Sequence, residues 1–271
     1  MLSIHPDVLG DWILKGVAVT LWQDIADALR ESIARGAYPP GTTIPKETEL
    51  MAAHGAGRET VRRAVIQLTA EGLIEPIRRR GTVVRSRPAR TPIPRSRLVY
   101  RDELGYYFDQ AAQGWRALRP PSVTRGPAPL DIAAQLGVAP GEEVVIRDRI
   151  MGDPATARPT QLATSYITAR LADELAVLAA HDTGHGGIYD RMEEAGLGPI
   201  QWTESITTRP PTMTEARRLK MSAGTALLRI VRLAVSPDGR PLEVNDTRMD
   251  GDQFETSYPL TRDQSASHQA R

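Results

Sequence analysis

Residues 55–65 read GAGRETVRRAV, two glycines followed by a run whose arginines are threaded through an apolar stripe. At 3.6 residues per turn Val61, Ala64, Val65 and Leu68 share one face, the spacing of a buried seam. Arg58, Glu59, Arg62 and Arg63 are left outside, and Arg58 and Arg62, four apart, project together from the first turns. Taken alone, such a helix is most simply a solvated charged face. Its neighbours change that reading. Upstream, LWQDIADALRESIARG puts Leu21, Ile25, Ala28, Leu29 and Ile33 on one face and stops at Gly36. AYPPGTTIP is a turn-rich connector, and KETELMAAHG makes a short second helix packing through Leu50 and Ala53. Downstream, the third helix runs to about Glu71, Gly72 ends it, and LIEPI and TVVR are strand-like runs bracketing RRRG. Three helices and a two-stranded hairpin in this order make the winged helix-turn-helix plan.

Bulk composition agrees with that division of labour. The 271 residues are 41% apolar and 25% charged, the balance of a globular chain long enough for two cores. Net charge is only +1, yet residues 1–97 hold 15 Lys+Arg against 10 Asp+Glu and the remainder 19 against 23. A basic front end on an acidic body predicts that only the first part meets a polyanion. Cysteine is absent, which excludes disulfides, thiolate metal sites and a catalytic thiol. No apolar run approaches the roughly 18 residues of a membrane span, so no membrane partner is expected. MLSIHPDVLGDWILKGVAV carries Asp7, Asp11 and Lys15 within its apolar stretch and makes a poor signal peptide, which predicts a cytoplasmic chain.

SRPARTPIPRSR (86–97), with three prolines and four arginines, has little to bury and is expected to be a stiff linker. The part beyond it repeats itself. LDIAAQLG (130–137), GEEVVIRDRIM and PTQLATSYI are answered by MTEARRLK (213–220), GTALLRIVRLA and RPLEVNDTRM. At an offset of 83, Leu136 matches Leu219, Gly141 matches Gly224 and Arg149 matches Arg232; after a one-residue slip, Pro159 matches Pro241 and Gln161 matches Glu243. A helix followed by two strands, used twice, predicts an antiparallel sheet with pseudo-two-fold character in an α+β domain. Between the copies GGIYDRMEEAG reads as a helix and PIQWTESITT as a strand. HDTGHGG (181–187) brings His181, Asp182 and His185 close, and is read as a glycine-rich loop entering that helix, not as a metal site. YYFDQAAQGWRAL (106–118) holds Tyr106, Tyr107, Phe108 and Trp115, a set suited to core, dimer packing or a pocket wall.

In IADALRESIARGAYPPGTTIPKETEL, GRETVRRAVIQLTAEGLIE, RRRGTVV and PLEVNDTRMDGDQFE, taken in order, the chain resembles the GntR family of bacterial transcription regulators. Within it the likeness is to the HutC subfamily, whose ligand-sensing half is the UTRA domain, a fold similar to chorismate lyase. The resemblance covers about residues 21–260 and implies an extension over 1–20, a DNA-binding domain over 21–85, the linker over 86–97, a UTRA domain over 98–260 and a disordered tail over 261–271. It further implies a homodimer on a palindromic DNA operator, a repressor in the commoner mode. Arg58 matches the base-reading arginine of the recognition helix, and an arginine fork suits guanine O6 and N7. Thr60 and Arg62 match phosphate-holding positions; Arg79, Arg80 and Gly81 match the wing that enters the minor groove. Gly57, Lys46 and Thr48 stand where relatives commonly carry Ser or Thr, a serine and an arginine. Glycine still caps a helix there but loses a hydroxyl contact, and Lys46 is expected to replace a hydrogen bond with a charge contact.

The UTRA resemblance also implies a small-molecule effector held between the repeats. Strand alternation independently puts Arg147 and Arg149 on one face of VVIRDRIM, and Glu243, Asn245, Thr247 and Met249 on one face of LEVNDTRM. Arg147, Arg149 and Glu243 match effector-contacting positions, and Ser165 and Asn245 are expected as polar contacts to an anionic, hydroxylated ligand. Relatives often carry a glutamate where Ala163 stands and a tyrosine where Met249 stands. No cofactor is expected: Lys220 is the only lysine beyond residue 97, and no nucleophile–base or acid pair has a recognisable spacing, so the chain reads as a regulator and not an enzyme. The alternative is a constitutive repressor without a working effector site.

Overall fold

The computed structural model describes residues 20–86, 89–95, 98–101, 107–108 (backbone only) and 115–261. The expected N-terminal extension and C-terminal tail fall outside this range apart from Thr20 and Thr261, as does Tyr106. The chain forms two compact units that part between Arg87 and Pro88.

In the first unit α1 (Leu21–Ala34), α2 (Glu47–His54) and α3 (Arg58–Ala70) are followed by β1 (Ile74–Ile77) and β2 (Gly81–Val84), an antiparallel hairpin. This is the winged helix-turn-helix. Its core joins Ile25 and Leu29 of α1, Leu50 of α2, Val61, Ala64 and Leu68 of α3, and Ile74 and Val84 of the hairpin. Two details differ from the sequence reading. On α1 Ala26 is buried while Ala28 and Leu21 are exposed, and Ala53 of α2 is exposed while Ala56, in the following turn, is buried. Gly55 ends α2 at φ 59°, a left-handed conformation that glycine adopts without steric cost, and its N–H bonds the Met51 carbonyl. Arg30 of α1 pairs with Glu71 at the end of α3, at 2.8 Å.

The second unit begins with β3 (Thr91–Pro94), β4 (Tyr100–Arg101), β5 (Tyr107–Phe108), β6 (Arg116–Ala117) and β7 (Ser122–Pro127). The first copy of the repeat follows as α4 (Leu130–Leu136), β8 (Glu143–Asp153) and β9 (Arg158–Thr168). After α5 (Ala169–Glu174) and α6 (Gly187–Glu194) comes β10 (Gln201–Arg209), then the second copy as α7 (Met213–Leu219), β11 (Leu227–Val235) and β12 (Pro241–Asp250), and last β13 (Phe254–Ser257). The main sheet runs β10-β11-β12-β9-β8, with β6 and β7 both pairing on the far side of β8. The two copies meet where β9 pairs with β12. Thr164 faces Asp246, and flanking pairs are Ala163 with Thr247 and Ser165 with Asn245. The offset that takes Pro159 to Pro241 also takes Thr164 to Asp246, so a pseudo-dyad passes through that pair.

One sheet face is covered by α4 and α7, on Ile132, Leu136, Val144, Val231 and Val244 for α4 and on Ile150, Leu162 and Leu227 for α7. On the other face α5 and α6 cover only one end, over Val145, Ile167 and Ala234 with Leu171, Leu178 and Met192. Within segment 86–97, expected to be a stiff linker with little to bury, Thr91–Pro94 pairs in parallel with β13, and Ile93 is 5% exposed. Prolines at positions 92 and 94 suit a short edge strand, since alternate N–H groups are not needed there.

The start of α7 supplies a pH-dependent element. Thr212 and Glu215 cap reciprocally, and Arg209 donates to both Glu215 carboxylate oxygens at 2.8 and 2.6 Å. Burial alone works to raise the Glu215 pKa, but the Arg209 and Thr212 hydrogen bonds outweigh it and hold the carboxyl at about 2. The folded value is depressed, so this stabilisation is full above the unfolded carboxyl range and is lost as pH falls toward about 2. Glu215→Gln is expected to lower stability at neutral pH and to flatten its dependence below about pH 4.5, measured by urea unfolding at a series of pH values.

Candidate functional site

Arg58, Arg62 and Arg63 are exposed on α3, opposite its buried Val61, Ala64 and Leu68. Gly57 is the N-cap, and Thr60 is half-buried one turn in. Arg63 lies with its guanidinium carbon 4.4 Å from the centre of the Trp22 ring, a cation–π contact that ties it to α1. Arg58 and Arg62 are the arginines at the helix start. Lys46 caps α2, its backbone N–H donating to Glu49 Oε2 at 2.8 Å, and the Lys46 and Thr48 side chains are exposed. At the wing tip Arg79 takes φ 66° and Gly81 φ 96°, turning the hairpin with all three arginines, 78 to 80, exposed. Arg80 also donates to the Gly41 carbonyl at 2.5 Å, which fixes the wing to the α1–α2 connector.

Gly57 has extended backbone angles, φ −71° and ψ 158°, and open space where a Cβ would sit. Gly57→Ser is therefore expected to fold, to gain a few tenths of a kcal/mol from the hydroxyl cap, and to tighten DNA binding evenly across sequences. Thermal unfolding and fluorescence anisotropy on specific and random duplexes check both parts.

In the second unit a cavity of about 790 Å³ opens on the sheet face that α5 and α6 leave partly uncovered. Sheet register arranges its floor in three cross-strand rows. The first is Arg147, Ser165, Asn245, Arg232 and Glu204; the second is Arg149, Ala163, Thr247 and Ile230; the third is Met151, Gln161 and Met249. Walls come from Ile93 and Arg95 of the β3 segment, Trp115, and the loop from His181 to Ile188 that enters α6. Trp115 packs edge-on against Phe254, centroids 5.5 Å apart.

Of the five residues expected to contact an effector, Arg147, Arg149, Glu243 and Asn245 line this cavity. Arg147 is 4% exposed and donates to the carbonyls of Leu178 (3.0 Å), Ala180 and His181 (3.4 Å), so it anchors the loop before α6. Burial, and then the nearby Arg149 charge, push its pKa down. Ser165 does not line the cavity: fully buried within floor strand β9, it accepts from Arg149 Nη2 at 2.5 Å and Asn245 Nδ2 at 3.0 Å. Glu243, 1% exposed, accepts from the Tyr189 hydroxyl and from Asn245 Nδ2 at 3.4 Å. Burial first, and the Glu243 charge second, hold the Tyr189 pKa well above the usual phenol range, so Tyr189 stays a donor.

The sequence reading missed Arg95, Glu204 and Tyr189 as cavity residues. Glu204 takes Arg95 Nη1 at 3.1 Å and Arg232 Nη2 at 2.7 Å, two guanidiniums on one carboxylate. Arg232 was signalled by its match to Arg149, and Glu204 by its place on the strand preceding the second copy. Ala163 and Met249, noted as departures from the family, both sit on the cavity floor. Among the described residues no group of three or more His, Cys, Asp or Glu side chains is placed to hold a metal ion, and no helix is long and apolar enough to cross a membrane.

Residues 21–84 match the family model for bacterial regulatory proteins of the gntR family, and residues 121–255 match the model of the UTRA domain. An uncharacterised HTH-type transcriptional regulator of Streptomyces coelicolor is 30% identical over 92% of this chain and 96% of its own. The chain belongs to the GntR family. It carries the GntR DNA-binding domain followed by the UTRA effector-binding domain. An uncharacterised HTH-type regulator of Rhizobium meliloti is 32% identical over 87% of this chain and 93% of its own, and the HTH-type transcriptional repressor NagR of Bacillus subtilis is 25% identical over 92% and 98%. A crystal structure of another GntR-family regulator superposes with a TM-score of 0.65 at 26% identity, covering 90% of this chain and 98% of that one.

Proposed function

We propose that this GntR-family regulator is a repressor that binds a palindromic operator as a homodimer and is released by a small anionic molecule held in the UTRA cavity. Base reading falls to Arg58; Thr60 and Arg62 orient the helix on phosphate, assisted by Lys46, Thr48 and Gly57; Arg79, Arg80 and Gly81 reach the adjacent groove. Arg149, Glu243 and Asn245 meet the effector, Arg147 holds the loop that covers it, and Ser165 positions Arg149 and Asn245. NagR, a repressor by name, aligns with this chain over 98% of its own length.

One observation carries this reading. The first strand after the DNA-binding unit, β3, supplies Ile93 to the cavity wall, and Arg95 follows directly to pair with Glu204 inside it. A ligand in the cavity therefore touches the chain segment that leads to the DNA-binding unit. Glu204 and Glu243 are held by arginines and by Tyr189 and Asn245, an arrangement for binding and not for turnover. The test is selection of bound fragments from a genomic DNA library, followed by sequencing. Enrichment of a short palindrome is expected; a fragment pool with no shared sequence at moderate salt sinks the operator reading.

A further inference from the structure

The cavity's two pseudo-equivalent arginines have unequal surroundings. Arg149 and Arg232, related by the 83-residue offset, both face the cavity. Arg232 has its carboxylate, Glu204, on the neighbouring strand β10. The same offset takes Glu204 back to Pro121, which lines the cavity just before β7 and offers no charge. On its other side Arg149 faces Ala163 across β9. Arg149 donates from Nη2 to Ser165, while its buried Nε has no partner, and among the described residues it forms no ion pair. Arg149 thus lines the cavity without a carboxylate to balance it, and an anion bound there supplies that charge.

The other inner charges are already engaged. Arg95 and Arg232 share Glu204, Arg147 is turned to three carbonyls, and Glu243 is held by Tyr189 and Asn245. Arg116 and Asp182 stand exposed at the rim, where water screens them. One guanidinium without a carboxylate partner balances the single charge of a carboxylate; a phosphate dianion brings more charge, and the other inner cations, already engaged, leave none to meet it. Beyond Arg149 the floor continues as Met151, Gln161 and Met249, with Ile93, Ile230 and Trp115 around them. The Gln161 amide is the one polar side chain in that row, too few groups to replace the hydration of several sugar hydroxyls, whereas an apolar body gains from burial.

We infer that the ligand is an amphiphilic monocarboxylate, with its carboxylate on Arg149 and a hydrocarbon or aromatic body across Met151, Met249, Ile230 and Trp115. This rests on reading the cavity as the effector site of the regulator. Calorimetry on the full chain tests it with four probes: decanoate, 4-phenylbutyrate, the neutral 4-phenylbutyramide and glucose 6-phosphate. At least one carboxylate is expected to bind about tenfold or more tighter than the amide and the sugar phosphate. Arg149→Met is expected to weaken that carboxylate about tenfold and leave the amide within about twofold. Met249→Gln, which keeps the charge, is expected to weaken carboxylate and amide alike by a few-fold. Tightest binding by glucose 6-phosphate, no binding by either carboxylate, or undiminished carboxylate affinity in Arg149→Met overturns the assignment. The wild-type comparison decides even where a variant does not fold. Operator affinity measured alongside separates the two readings. A sugar phosphate that binds and shifts operator affinity overturns the ligand class and keeps the effector site; a carboxylate that binds at Arg149 and leaves operator affinity unchanged keeps the ligand class and overturns the effector role of the cavity.

Discussion

Replacing Arg58 by alanine is expected to cost about 1 to 3 kcal/mol of affinity for the operator, a loss of roughly 5- to 150-fold, with a much smaller loss on random duplex. The side chain is exposed in the first turn of α3, where the helix is braced from behind by Val61, Ala64 and Leu68, so its removal leaves the fold intact. The loss is therefore in recognition, and the variant should tolerate any base at one position of each half-site. Arg79→Ala at the wing tip should act differently, weakening all sequences evenly and lowering the slope of log affinity against log salt by about one. Fluorescence anisotropy on operator and scrambled duplexes over a salt series resolves the two. Equal losses on both DNAs for both variants would falsify the division between base reading and phosphate contact.

The parts of this molecule that repeat in sequence were the parts that sequence could place. The seam of α3 is written in strong contrast, valine and leucine against arginine, and the structure keeps it. Alanine carries no such contrast, which is why the burial of Ala26 and Ala56, not Ala28 and Ala53, emerges only from packing. Alternation in β8 and β12 placed Arg147, Arg149, Glu243 and Asn245 on one face, and register brought them to one cavity. What each arginine does there was not readable. Arg147 is claimed by carbonyls some thirty residues further along the chain, and Arg149 is left open because Pro121 replaces an acid that exists only in the other copy. Arg95 was hidden most completely. It follows a proline-rich stretch without periodicity, and the strand that fixes it pairs with residues 254–257, a contact too distant in sequence to be inferred.

That hidden arginine carries the larger functional expectation. Glu204 holds Arg95 and Arg232 together, with side-chain exposures of 25%, 9% and 16% respectively. Removing the shared carboxylate leaves two nearly buried cations facing each other, so Glu204→Gln should destabilise the second unit by about 2 to 3 kcal/mol, less than the 3 to 5 of a fully buried pair because Glu204 is partly wet. Removing Arg95 is milder for the fold, since Glu204 keeps Arg232 at 2.7 Å and a methionine at position 95 fills the same space. Its effect should fall on communication. On the proposed reading, an anion entering the cavity would alter the field around the Arg95–Glu204–Arg232 cluster, and Arg95 would pass that change to β3. A typical coupling of about 1 to 3 kcal/mol appears as a 5- to 150-fold change in operator affinity on ligand binding, with the reciprocal change in ligand affinity on DNA binding. Arg95→Met is expected to bring that factor to within about threefold of unity while ligand affinity in the absence of DNA changes little. Operator titrations with and without decanoate, and decanoate titrations with and without operator, measure both sides of the cycle. Undiminished coupling in Arg95→Met would mean that the cavity signals by a route other than β3, and the loop from His181 to Ile188, anchored by Arg147, would be the next element to vary.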